Sequence, residues 1–248
     1  MTRYLFRLDT IHTQYQRGKN PDNDVLTFGV QVGTQSYGPV GKLLSHACLS
    51  GSTLHLTDDP PDTLRQAWEI GPLEVNPDDI VNVIYAAVNT SDYHPSLSRG
   101  DTWKITAAVW GAMIGVGAAL GGIGAVAGAV IGGVIAVLGE IIGDITPDDP
   151  KCNGVVFADK YPLTGSNLAK ATSNPQSAFS VTTHYTDATS PHPDDCGHLA
   201  ETDVTFTVIA VPVESVTTFL GSRGDLRQGL RRLQPGVPVI SVRSLIES

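Results

Sequence analysis

The sequence predicts a mainly β chain: a single antiparallel β-sandwich of about eight strands, with an inserted glycine-rich apolar α-helical hairpin and a short amphipathic C-terminal tail. Three observations predict it. Outside one segment the chain is poor in Lys, Glu and Met and rich in Thr, Val, Ser, Gly, Pro and Asp, the profile of short strands joined by tight turns. Strand-like runs recur at regular spacing with turn clusters between them. One uncharged run, from Ile105 to Gly139, interrupts that rhythm.

The elements follow in order. "RYLFRLDTIHTQY" and "DVLTFGVQVG" read as strands separated by the turn-forming "QRGKNPDND", and "GKLLSHACLSGSTLHLT" reads as a second hairpin. Their alternation is imperfect. "DTLRQAWEIGPLEV" and "DDIVNVIYAAVNTSD" add two elements, the latter opening into the polar loop "NTSDYHPSLSRGD". After the uncharged run come "NGVVFADKY", "SAFSVTTHYTDA" and "DVTFTVIAVPV", strand-like again and separated by Pro, Asp and Gly clusters. The organisation expected is a sandwich built from residues 1–100 and 147–221, a hairpin over 101–146 and a tail over 222–248.

With 248 residues and 41% apolar composition, the chain can bury a substantial core. A net charge of −9 argues against a nucleic-acid partner, which would require a basic face. Cys48, Cys152 and Cys196 allow at most one intramolecular disulfide. Cys152 with Cys196 is one arrangement and three buried thiols another. The N-terminus lacks a continuous apolar stretch followed by a cleavage site, so synthesis in the cytoplasm without a Sec signal is expected, with membrane association or export by a non-Sec route.

The uncharged run spans 35 positions, bracketed by Lys104 and Glu140. One ordinary membrane-spanning helix takes ~20 residues, so a helical hairpin fits the length better. Asp101 is the expected N-cap of a first helix over 102–120, "GGIG" at 121–124 the break, and a second helix extends to Gly143. Gly111 with Gly115, Gly117 with Gly121, and Gly124, Gly128 and Gly132 each fall four apart, so each set lies along one helix face. In water such glycines cost a helix ~1 kcal/mol each relative to alanine. In a membrane they let helix backbones approach closely. Trp110, Met113, Ile114, Leu120, Ile131, Ile135 and Leu138 are then left to face lipid or core. A soluble amphipathic hairpin would show an outer polar face; here the polar side chain before Glu140 is Thr106.

Two resemblances add expectations. "KNPDNDVLTFGVQV" and "VNVIYAAVNTSDYHPSLSRGD" resemble the first and last ligand loops of the calcium-dependent phospholipid-binding sandwiches of protein kinase C and synaptotagmin. That resemblance implies Asp22, Asp24, Asn89 and Asp92 near one another as oxygen ligands for calcium, although Asn89 stands where those domains carry aspartate. The layout as a whole, with "CNGVVFAD" after the hairpin, is similar to functionally unassigned bacterial β-sandwich proteins carrying an Ala/Gly-rich helical hairpin.

No nucleophile elbow, His-Glu-x-x-His or phosphate loop occurs in the chain, so no enzyme is expected. In "HPDDCGH", His192, Cys196 and His198 with Asp194 or Asp195 suit zinc; a plain turn between strands explains the same residues. Arg223, Arg227, Arg231, Arg232 and Arg243 against Asp225 and Glu247 give the tail +3, leaving the rest at −12. Leu226, Leu230 and Leu233 form an amphipathic set beside Arg227, Arg231 and Arg232, and "VISVRSLIES" reads as an extended peptide. Docking on an acidic partner, anionic lipid or a neighbouring copy by strand addition follows from this, as does a helix closing the protein's own sandwich. The function expected is membrane activity: the sandwich delivers a close-packing hairpin into a bilayer and oligomerises, forming a pore or permeabilising assembly. The alternative is a non-enzymatic adaptor that self-assembles through the hairpin and docks a larger particle through its tail.

Overall fold

The structure, a computed structural model, describes residues 2–16, 23–45, 49–58, 68–90, 98–119, 154–173, 178–186 and 200–211. They form a mainly β protein of two packed antiparallel sheets. The strands are β1 (Thr2–Tyr15), β2 (Asn23–Val32), β3 (Gln35–Ser45), β4 (Ser52–His55), β5 (Glu69–Val75), β6 (Ile80–Asn89), β7 (Gly154–Thr164), β8 (Ala178–Thr186) and β9 (Glu201–Val211). Two helices accompany them, α1 (Arg99–Ala119) and α2 (Gly165–Ala171).

The first sheet has the order β4-β1-β9-β8, with β5 pairing the opening half of β1 while β4 pairs its later part. The second has the order β3-β2-β6-β7. Tyr4, Phe6, Leu8, Leu26, Phe28, Tyr85, Phe157 and Phe206 fill the space between the sheets, so alternate residues of each strand face inward. Rings of Tyr85, Phe157, Tyr185 and Phe206 pack at centroid distances of 5.6–6.3 Å, within the range of favourable edge and offset contacts.

Several expected connections differ. "GKLLSHACLSGSTLHLT" is not a hairpin: β3 pairs β2 in the second sheet, whereas β4 pairs β1 in the first. The tight hairpin is β2–β3, turned at Gly33, whose φ of 56° suits a residue without Cβ. Strands β1 and β2, adjacent in sequence, lie in different sheets. The short α2 was not expected. Its cap is local, with Thr164 Oγ1 accepting from the Asn167 amide at 3.2 Å, and Leu168 anchors it in the core. Helix α1 starts earlier than its expected boundary because Ser98, not Asp101, caps it.

Phe206 is fully buried at the centre of the inter-sheet cluster. Phe206→Ala is expected to cost about 3–5 kcal/mol, measured by urea unfolding, with strand content retained.

Candidate functional site

Helix α1 begins with a reciprocal cap. The Asp101 amide donates to Ser98 Oγ at 3.1 Å, and the Ser98 hydroxyl donates to Asp101 Oδ2 at 2.6 Å, so Asp101 occupies the third helical position of a Ser-x-x-Asp capping box. The Ser98 hydroxyl, then Lys104, hold the Asp101 carboxyl below its usual range. One turn on, the Thr106 hydroxyl donates to the Thr102 carbonyl at 2.8 Å. The uncharged segment's polar side chain is thus satisfied within the helix.

The helix lies on the outer face of the second sheet. Ile105, Val109, Trp110 and Met113 pack with Val25, Ile84, Ala86, Val88, Val155 and Ala158 in a second apolar cluster separate from the inter-sheet core. Two glycines in the strands form the seat. A Cβ on Gly29 would overlap the Trp110 ring, and one on Gly41 would overlap the Thr106 side chain, so close approach at both points requires the absence of a side chain. Two polar groups are enclosed as well. Lys160, 4% exposed, donates from Nζ to the Met113 carbonyl at 3.3 Å, and burial lowers its pKa. Thr27 is fully buried and its Oγ1 has no hydrogen-bond partner.

Facing away from the sheet, Trp103 is half exposed, and Ala107 and Gly111 are exposed at the same four-residue spacing. A side chain on Gly111 would meet nothing within 4 Å. Among the described residues no helix is long and apolar enough to cross a membrane.

The expected insertion residues therefore divide. Trp110 and Met113 face the chain's own sheet, and Ile114 packs half-buried against the same cluster. Their side of the helix is the one that meets Val25, Ile84 and Val88. Gly111 is on the open side, and Gly115 and Gly117 lie within α1. Leu120, Gly121, Gly124, Gly128, Ile131, Gly132, Ile135 and Leu138 fall outside the described residues, as do Leu226, Arg227, Leu230, Arg231 and Arg232. So do the three cysteines and the His192–His198 segment.

Of the expected calcium ligands, Asp24 and Asn89 are register partners across β2 and β6 and are almost fully buried. Asp22 and Asp92 fall outside the described residues. The neighbouring cavity of about 10 Å³ is lined by Asp24, Thr13, Gln16 and Thr202 among apolar groups, room for about one water. The Thr90 hydroxyl and amide both donate to the Asn23 carbonyl at 2.9 Å, closing this end of the β2–β6 ladder. Among the described residues no three His, Cys, Asp or Glu side chains are grouped to hold a metal ion.

A buried network between the sheets had no sequence signal. The Tyr185 hydroxyl donates to Asp159 Oδ2 at 2.6 Å and lies 2.7 Å from the Tyr85 hydroxyl. Desolvation raises the Asp159 pKa, against the lowering effect of its hydrogen bond from Tyr185; desolvation also raises Tyr85 and Tyr185, with the Asp159 charge adding to both. On the outer face of the first sheet Asp9 pairs with Arg7 and accepts from Thr207, again with its pKa raised by burial. Alternating strand positions disclose neither carboxylate as buried. These arrangements hold strands together and present no nucleophile–base pair beside a pocket.

No family model, curated protein or solved structure matches this chain.

Two outcomes follow from the geometry. Gly41→Val is expected to displace α1 from its seat at about 1–3 kcal/mol, read as faster amide exchange over residues 105–113 with the inter-sheet core unchanged. For Asp159 the native state holds its proton more tightly than the unfolded chain does. The associated stability is full below the unfolded value near 4 and is lost as pH rises through the raised native value. Asp159→Asn should therefore flatten the fall of unfolding free energy as pH rises above the unfolded carboxylate value near 4, measured by urea titration.

Proposed function

We propose that this is a membrane-active protein whose β-sandwich carries a close-packing helical hairpin, residues 105–143, into a bilayer, where it oligomerises and permeabilises the membrane. The observation that carries this reading is the two-sided apolar character of α1. Beyond Lys104 the sheet-facing side is Ile105, Val109 and Met113, and the outward side is Ala107 and Gly111. A helix that served only to cover a sheet in water would place charged or polar residues outward. Past residue 114 the sequence stays uncharged to Gly139.

The small outward residues supply a surface on which a second helix can approach at short axial distance. Transfer of apolar surface from water, at ~25 cal/mol per Å², supplies the drive for insertion. Docking through Gly29 and Gly41 holds one side of α1 until then, and release from that seat is part of the proposed action. Localisation at a membrane follows from the same reading.

Liposome dye release tests it. Purified protein is expected to bind vesicles and release dye, with calcium varied in parallel because Asp24 and Asn89 meet at one end of the sandwich. Gly111→Leu, tolerated where a side chain meets open space, is expected to lower release several-fold while leaving the unfolding transition unchanged. Absence of both binding and release, together with defined oligomers in solution, would overturn the membrane reading in favour of a self-assembling adaptor.

A further inference from the structure

Among the described residues five strands lie at the edges of the two sheets, and four of them carry features that discourage further pairing. Strand β3 contains Pro39, Lys42 and a register shift opposite β2. Strand β7 contains Asp159, Lys160 and Pro162. Strand β4 is four residues long, and β5 contains Pro72 between Glu69 and Glu74. The fifth, β8, is "AFSVTTHYT", nine residues without proline, glycine, lysine, arginine or an acidic group. Its register with β9 runs from Ala178↔Ile209 to Thr186↔Glu201 without a shift. Among the described residues β8 pairs with β9 alone.

A straight, unguarded strand of this length offers a row of backbone donors and acceptors suited to strand addition. We propose that the β8 edge is a docking site for an extended strand, and that its occupant is the chain's own segment Val239–Ile246. Three observations select it. Its centre alternates, with Ile240 and Val242 on one side and Ser241 and Arg243 on the other, before Ser244, Leu245 and Ile246 depart from the pattern, and β8 has matching sides: Phe179 and Val181 lie in the inter-sheet core while Thr182 and His184 line the outer face. The charges are complementary. Arg243 is the one charge of the segment, and Asp203, bonded to His184 at 2.8 Å, lies one strand in from the edge. The reach is sufficient, since Ala178 is paired with Ile209, so β9 ends beside the start of β8 and 27 residues separate Val211 from Val239. The entropy of closing such a loop grows only slowly with its length. Docking in cis extends the first sheet by a strand over the open side of the sandwich, where Tyr161 and Tyr185 are half-buried. This inference is independent of membrane activity.

Hydrogen exchange on the full chain tests it. Peptides covering residues 178–186 are followed in the wild type and in the Ile240→Pro/Val242→Pro double variant, which removes two tail donors without touching the sandwich. The variant is expected to exchange its β8 amides at least roughly tenfold faster, with β1 and β6 unchanged, and Ile240→Val/Val242→Ile is expected to behave as wild type. Identical β8 exchange in the wild type and the proline variant would overturn the proposal. So would β8 protection that grows with protein concentration, which would assign the occupant to a second copy.

Discussion

The constraint on which the structure depends is that the second sheet is a middle layer. Its inner face meets the first sheet and its outer face meets α1, so β2 and β6 are apolar on both sides over most of their length, with the buried polar groups Asn23, Asp24 and Asn89 gathered at one end. Every residue of β2 from Asn23 to Val30 is buried, as is every residue of β6 from Val83 to Asn89. Strands buried on both faces lose simple alternation. Glycine enters at the two points where the helix comes closest, because a third layer at this distance leaves no room for a Cβ over Thr106 or the Trp110 ring.

That layer also explains which parts of the fold were legible. Strand-like segments and turn clusters carry local signals of propensity and appear close to their expected places, and the helix expected to be capped by Asp101 starts three residues earlier, at Ser98. The imperfect alternation of "DVLTFGVQV" has its cause in two-sided burial, and Gly29 within it sits at the close approach of the Trp110 ring. Sheet membership was not legible. Chain neighbours β3 and β4 belong to different sheets because the partners of β4 and β5 both lie along β1, a long-range choice that local sequence does not encode.

The candidate site was legible in part for the same reason. The uncharged run pointed to α1, and "NPDND" with "AVNTSD" pointed to Asp24 and Asn89 as neighbours. The direction in which Trp110 and Met113 face depends on which sheet receives the helix. Lys160 in "FADKY" reads as a surface lysine until α1 is placed over it, and Asp159 beside it reads as a turn-proximal charge until Tyr185 arrives from the opposite sheet. Both are ionisable groups whose environment is made by elements distant in sequence.

The pairing of β1 with β9 sets an order for assembly. Arg3 is opposite Val211 and Tyr15 opposite Glu201, so β1 waits for β9, made long after it, before its sheet is whole. The second sheet waits less, since β2, β3 and β6 are complete by Asn89. Contacts this remote in sequence slow the approach to the native topology. On the ribosome the strands bearing Gly29 and Gly41 therefore precede α1, while β7, which brings Val155 and Ala158 to the same cluster, follows it, so the seat of the helix is completed from both sides of its own sequence.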